Sequence, residues 1–363
     1  MSAPAAGADR PDVLGLPRAE LAALLAPAID RPYRAEQVYR AVYEQGVTGF
    51  DAITALSRPL RERLDERFRI GLPAVDTRHA SADGTVKYLF RLADGATVEA
   101  VDIPDGERRT FCISSQAGCA MACRFCVTGF WGAGRDLTAG EIVGQVLAIA
   151  GRLHEQQSLN VVFMGMGEPL LNVDAVERAI AVLGEWISLR RITLSTVGVV
   201  PGIRRLATWP RRPNLAVSLH APDDERRSAL MPVNQRYPLA ELMAALAEFP
   251  LERGRKLTFE YLLIGGLNDA PSDADALVRL LAGAGLEARS KVNLIPINPD
   301  PVLGERMVPP AAEAVDAFRD RLRARGMVAT VRRRRGDDVS AACGQLRAFG
   351  RDPRGFRRSN VSW

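Results

Sequence analysis

The stretch Cys119-Ala120-Met121-Ala122-Cys123-Arg124-Phe125-Cys126 spaces three cysteines as Cys-x3-Cys-x2-Cys, directly after an expected strand at residues 110–115. A loop of that length can fold three thiolates around one inorganic centre. An iron–sulfur cube ordinarily takes four cysteines, one per iron, so three leave one iron open to a reactive ligand. Phe125, just before the third cysteine, is placed to wall the centre on one side. A structural zinc site is the alternative. Zinc takes four ligands, usually as two pairs, and no further Cys or His lies close by to complete the set.

Downstream of the cysteines, short apolar runs alternate with amphipathic stretches, the pattern of parallel β/α construction. Strands are expected at 110–115, 160–164, 191–196, 214–219, 258–263 and 291–296. Thr138-Ala139-Gly140-Glu141 is a capping box opening a helix to about residue 150, and helices are also expected at 174–186, 239–249, 273–282 and 310–325. Six β/α units are too few for an eight-stranded barrel. The expected fold is therefore α/β, a partial (β/α)6 TIM-like barrel whose mouth lies at the carboxyl ends of the strands, where barrels place their chemistry. Each polar signature falls at such an end. Gly165-Met166-Gly167-Glu168-Pro169-Leu170 follows the second strand, with glycines that permit close backbone approach and Glu168 as a carboxylate for an ammonium group. Ser195 ends the third strand, Ser218-Leu219-His220 the fourth, and Asn298 lies past the sixth. Singly, Ser195 or Asn298 reads as a cap or turn residue. Together they form a polar rim for a nucleoside-bearing cofactor, with His220 as a rim contact rather than an acid or base.

Residues 1–16 are expected to be a disordered lead-in, since they carry no hydrophobic signal core. Residues 17–72 read as a small helical unit with helices at 18–25 and 34–45, and a third capped by Ser57 with Leu60, Leu64 and Phe68 on one face. Three short helices bury little alone, so the unit is a cap or an RNA-docking module, the latter helped by Arg31, Arg34, Arg58, Arg61 and Arg63. Residues 73–104 read as a β-hairpin extension, because the extended stretches 86–92 and 97–101 flank Asp94-Gly95. Glu99 lies in the second of these, where an acidic residue usually faces solvent. The barrel spans 105–346, and 347–363 form a basic tail with Arg351, Arg354, Arg357 and Arg358.

A hydrophobic fraction of 47% supports a buried core, and no apolar run reaches membrane-spanning length. Five cysteines, three of them clustered, fit a metal site in a reducing compartment better than a disulfide framework, so a cytoplasmic protein is expected. The formal net charge of +5 and the run Arg332-Arg333-Arg334-Arg335 suit either a polyanionic partner or a solvated face. Two cysteines lie outside the triplet. Cys112 reads as a buried core thiol, whereas Cys343 sits among small residues that would let a large group approach it.

Arg335-Gly336-Asp337-Asp338 leading to Ala341-Ala342-Cys343-Gly344-Gln345-Leu346, together with Ser114-Ser115-Gln116, Gly118, the cysteine triplet and the 165–170 motif, closely resembles the RlmN/Cfr family of radical S-adenosylmethionine (SAM) RNA methyltransferases. The resemblance runs over about residues 34–346. It implies a 4Fe–4S cluster held by Cys119, Cys123 and Cys126, and a SAM site lined by Gly167, Glu168, Ser195, Ser218, Leu219, His220 and Asn298. It further implies that Cys343 carries the methyl group, Cys112 resolves the product and Glu99 is the general base. The implied substrates are 23S ribosomal RNA and transfer RNA, methylated on adenine carbon 2 with two SAM per turnover. An electron donor such as flavodoxin or ferredoxin is implied as a partner, no membrane is, and a monomer is expected.

The implied route follows from the target atom. Carbon 2 of adenine is not nucleophilic, so direct methyl transfer from SAM would fail; in the route the resemblance implies, one SAM first methylates the Cys343 sulfur, and a radical from the second removes hydrogen from that S-methyl group. The carbon radical adds to the ring, Glu99 takes the ring proton, and Cys112 attacks the Cys343 sulfur to leave a disulfide. The base must leave its stack to be reached. Methylation at carbon 8 would use the same cysteines, and a non-catalytic iron–sulfur RNA-binding assembly protein would have no use for Cys343. The stretch Phe130-Trp131-Gly132-Ala133-Gly134-Arg135-Asp136-Leu137 departs from the family's usual glycine-rich run ending Arg-Asn-Leu, with Asp136 in place of Asn.

Overall fold

The computed structural model describes residues 10–153, 158–305, 307–341 and 344–346. Ten strands form one sheet in chain order: β1 Ala74–Ala80, β2 Val86–Arg91, β3 Thr97–Asp105, β4 Arg108–Cys112, β5 Leu159–Phe163, β6 Ile192–Thr196, β7 Asn214–Ser218, β8 Leu257–Leu263, β9 Ser290–Pro296 and β10 Ala329–Val331. Strands β1 to β4 form an antiparallel meander, and β4 to β10 run parallel with helices between them. The six expected barrel strands are present. β10 was missed because three residues followed by arginines give no period to read. The hairpin is not a separate extension: β3 pairs with β4 and makes it the start of the same sheet.

Thr110 of β4, Val162 of β5, Glu260 of β8 and Asn293 of β9 line one cavity. Strands so far apart in the order share a cavity only where the sheet curls, which is the geometry of an unclosed barrel. Its end strands β1 and β10 do not pair. Residues 332–341 cross from the β10 end to the meander instead. Arg335 pairs with Asp105 at 3.4 Å, the Gly336 amide donates to Asp83 at 3.0 Å, and the Ala82 amide donates to Asp338 at 3.2 Å.

The helical unit comprises α1 Arg18–Leu25, α2 Tyr33–Tyr43 and α3 Arg58–Arg67. Leu21, Leu25, Val38, Tyr39, Leu60, Leu64 and Phe68 are buried in a core continuous with that of the barrel. Ser57 occupies the N-cap position of α3 but its side chain makes no capping bond. Several arginines expected to meet RNA are engaged inside the unit: Arg34 pairs with Asp30, Arg58 with Glu62, and Arg61 donates to the Asp51 carbonyl. Two further helices matter for the site, α4 Val127–Phe130 and α5 Ala139–Ala150, the second opened by the expected capping box between Thr138 and Glu141.

The expected lead-in is ordered from residue 10. Val13 and Leu14 are buried, and Asp12 accepts from the Leu14 and Gly71 amides and pairs with Arg69. Gly15, at φ +79°, lies so close to α5 that a β-carbon there would sit 2.2 Å from the Gly140 nitrogen. Its amide also donates to the Tyr43 hydroxyl at 2.9 Å. This contact fastens the helical unit to the barrel. Gly15→Ala is therefore expected to cost about 2–4 kcal/mol, from overpacking and a left-handed backbone. A lowered Tm and faster amide exchange across residues 11–70 than in the barrel strands would check it, and unchanged exchange would refute it.

Candidate active site

Beyond β4 the backbone runs through Ser114 and Ser115, both buried. The Gln145 side chain of α5 brackets Ser114, accepting from its amide and donating to its carbonyl. Residues 115–119 then lie against 132–137: Ala117 N–H donates to Arg135 O, Leu137 N–H to Ser115 O, and Cys119 N–H to Gly132 O. The divergent 130–137 stretch is thus the brace behind the cysteine loop. Gln116 donates to Asp136 Oδ1 at 2.7 Å and accepts from the Glu168 amide at 2.8 Å. An Asn at 136 would present the same oxygen, so the departure preserves this link. Gly167, at φ +99°, must be glycine, because a β-carbon would lie 2.5 Å from Gln116 Cβ.

Cys119, Cys123 and Cys126 line one cavity together with Gly167, Glu168, Ser195, Ser218 and His220. Phe125 lies on the same wall, its ring edge-on to His220 at 4.6 Å. Two expected members lie elsewhere. Leu219 is buried behind the wall with its amide on the Glu260 carbonyl. Asn298 lines a second cavity with Arg332, Arg333, Arg334 and Arg335, and that cavity shares Met164, Glu260 and Ile295 with the first. Cys343 lies outside the described residues. Its neighbours Gly344 and Leu346 line the first cavity, tied to α4 by Val127 N–H on Gly344 O at 2.6 Å and Thr128 Oγ1 on Leu346 O at 2.8 Å.

Burial governs the charges here. Glu168 is enclosed, and loss of water lifts its carboxyl to about 7, against the opposing pull of the Val197 and Leu170 amides at 2.8 and 3.0 Å. Each oxygen keeps acceptor capacity after those bonds. His220 accepts the Leu262 amide on Nδ1 at 3.0 Å, so its proton is on Nε2. Burial and then the Arg227 charge hold its pKa down to about 3. It is a neutral donor at any ordinary pH. Burial pushes the Cys119 thiol up to about 12 and Cys123 well above its usual value. Metal capture needs thiolates and therefore releases protons.

Arg227 was not anticipated. It is 0% exposed and binds the Leu219, Val197 and Ser218 carbonyls and Asn234 Oδ1, which locks the ends of β6 and β7 together. Its guanidinium also favours negative charge at Cys123. In sequence it was one arginine in a charged run, Asp223-Asp224-Glu225-Arg226-Arg227, indistinguishable from a solvated face.

The residues fit a cluster better than a single ion. Among the described residues no three Cys, His, Asp or Glu side chains converge on one metal point. The three thiols instead border a cavity, as a cube with one thiolate per iron requires. The same wall carries a carboxylate, hydroxyls and an imidazole N–H for a polar ligand beside the cluster.

Glu99 overturns its sequence reading. It is 0% exposed rather than solvent-facing, and pairs with Lys87, 5% exposed, at 3.3 Å. Lys87 lies opposite Val101, and Val101 opposite Cys112. Directly paired residues project from the same face of a sheet, and i and i+2 share a face. Lys87, Glu99 and Cys112 are thus on one face of β2, β3 and β4. Finding Lys87 needed the strand register, which no motif supplies.

Residues 113–281 match the radical SAM superfamily, and residues 11–70 match the ribosomal RNA large subunit methyltransferase N-terminal domain. The chain is 47% identical over 359 residues to a dual-specificity RNA methyltransferase RlmN of Anaeromyxobacter dehalogenans, covering 95% of each. It is 48% identical over 322 residues to the one of Syntrophobacter fumaroxidans, covering 87% of this chain and 92% of that one. A radical SAM methyltransferase of Sphaerobacter thermophilus superposes with a TM-score of 0.87 at 45% identity, over 93% of this chain and 99% of that one. The braced cysteine loop, the enclosed Glu168 and the full-length likeness agree, and the chain belongs to the RlmN family within the radical SAM superfamily.

Proposed function

We propose that this protein methylates carbon 2 of adenosine in 23S ribosomal RNA and in transfer RNA, with Cys343 as the methyl carrier. The observation that carries the reading is the single cavity in which Cys119, Cys123 and Cys126 face Gly167, Glu168, Ser195, Ser218 and His220. The three cysteines hold the 4Fe–4S cluster. Bound cluster and SAM supply the methyl group, an electron and a 5′-deoxyadenosyl radical. Glu168 binds the ammonium end of SAM, and the Gly167 backbone allows the close approach. Ser195 and Ser218 offer hydroxyls to its polar groups, Asn298 offers an amide from the adjoining cavity that shares Met164, Glu260 and Ile295 with this one, the His220 Nε2–H donates, and Leu219 backs the wall.

Glu99, in a dry site and paired with Lys87, accepts the ring proton, and the unpaired electron left on the ring by radical addition would pass back to the bound cluster. The Cys112 thiolate then attacks the Cys343 sulfur. The S–S bond forms as the S–C bond breaks, and the electron pair leaves on the product carbon, which takes up the proton that the Cys112 thiol released. Placement of Glu99 and Cys112 on one face supports this division of labour, as does the docking of residues 336–340 against β2 and its turn. The arginines of the second cavity suit RNA phosphates. Two SAM are consumed per turnover, a flavodoxin or ferredoxin supplies electrons, and the enzyme works as a monomer in the cytoplasm. No helix among the described residues is long and apolar enough to cross a membrane.

The test is anaerobic reconstitution with iron and sulfide, incubation with SAM, reductant and protein-free RNA, and mass spectrometry of the nucleosides. 2-Methyladenosine is expected in both RNAs, and none with Cys343→Ala. 8-Methyladenosine would overturn the position of attack, and neither product would overturn the function.

Glu168 gives a second expectation, with its sign set by the raised pKa of about 7. The ionised form, which binds a cation, predominates above that pH and is lost below it. At pH 8, Glu168→Gln should weaken SAM binding to the reconstituted protein by roughly 10–100-fold, the worth of a charged hydrogen bond. The difference from wild type should close as pH falls through about 7. Equal affinities at pH 8, measured by equilibrium dialysis, would refute the role.

A further inference from the structure

We infer that Lys87 is a positioning residue of the methyl-transfer site, holding Glu99 as a carboxylate and tying it to the segment that leads to Cys343. The inference rests on Glu99 as proton acceptor and Cys343 as carrier. Lys87 Nζ lies 3.3 Å from Glu99 Oε1 and donates to the Ser340 carbonyl, also at 3.3 Å. Ser340 is three residues before Cys343 in sequence and holds a left-handed φ of 50°, uncommon without glycine. One buried ammonium therefore joins the proton acceptor to the strained end of the segment that bridges the sheet.

A fold does not need such a pair. Apolar residues of similar volume usually serve stability as well or better, because both charges must be stripped of water. Proton transfer does need it. Burial alone raises a carboxyl pKa and keeps it protonated, and a protonated Glu99 has nowhere to put the ring proton. An ammonium in contact restores the carboxylate. When the ring C–H bond breaks, the proton goes to a Glu99 oxygen, the bond's electron pair stays with the ring, and the unpaired electron left by radical addition would pass back to the bound cluster. Lys87 remains charged and anchored on Ser340 O.

Among the described residues, the other groups around Glu99 do not supply this. Cys112 from β4 is a thiol, and a thiolate there would oppose ionisation of Glu99. Asp337 and Asp338 of the bridging segment are exposed, with Asp338 turned to the Ala82 amide. The Glu168 carboxylate accepts the Leu170 and Val197 amides and lines the cysteine cavity, and Met166, whose sulfur accepts the Glu99 amide, is uncharged.

The test uses the full-length, reconstituted protein with RNA and three mass-spectrometric readouts: methyl on the Cys343 peptide, 5′-deoxyadenosine, and covalent protein–RNA adduct against released methylated RNA. In Lys87→Met, Cys343 methylation and 5′-deoxyadenosine formation should stay near wild type. Adduct should accumulate, with release slowed about tenfold or more at pH 7. Release should recover as pH rises, because a buried carboxyl without the ammonium beside it ionises only at higher pH, while wild-type release depends less on pH. Lys87→Arg should restore most of the rate. If Lys87→Met does not fold, Lys87→Gln, which keeps a donor without charge, should show the same pH-dependent release. Release and pH profile like wild type in a folded neutral variant would overturn the inference. So would a uniform, pH-independent loss of all three readouts, which marks a purely structural residue. The underlying reading fails separately, if Glu99→Gln releases product as fast as wild type or if wild type never methylates Cys343.

Discussion

A curled sheet that does not close must hold its two free ends in register by some other means, and here residues 332–341 do it. That segment leaves β10, reaches β3 through Arg335 and Asp105, and is fixed to the β1–β2 turn by reciprocal bonds between Asp83, Gly336, Ala82 and Asp338. Lys87 adds a bond from inside the sheet to Ser340 O. The meander is therefore an integral part of the same sheet. It presents Glu99 and Lys87 on the face that carries Cys112, and it receives the segment leading to Cys343.

The cavity beside it is organised by exclusion of water. Burial raises the Glu168 carboxyl, lowers His220 and holds Arg227 below its usual range. Each effect makes the group more responsive to the charge of a bound partner than it would be in solvent. Arg227 ties the ends of β6 and β7 and lies near Cys123, so the scaffold of the rim and the electrostatics of the cysteine loop are set by one side chain. Gln116 does the equivalent on the other side, joining the Glu168 amide to the brace at Asp136.

What the sequence disclosed was whatever is local. The cysteine spacing, the 165–170 motif and the serines at strand ends are short-range patterns, and all of them meet in one cavity. The capping box at Thr138 and six of the seven parallel strands, β4 to β9, were equally legible. What escaped depends on contacts between distant segments. Glu99 looked like a solvent-facing strand residue because its partner Lys87 is found only through the β2–β3 register. Where Asn298 and Leu219 stand relative to the cysteine cavity likewise depends on how distant segments meet. Residues 10–16 looked like a lead-in because Gly15 gains its meaning only from Gly140, on a helix more than a hundred residues later.

The most direct measurement of the central claim is the electron spin resonance of the reduced, reconstituted protein with and without SAM. The account predicts about four irons per chain, a spectrum that changes when SAM is added, and loss of the cluster in Cys123→Ala. A fully loaded cluster whose spectrum is indifferent to SAM would mean that no iron is left open beside Glu168, and would contradict the account.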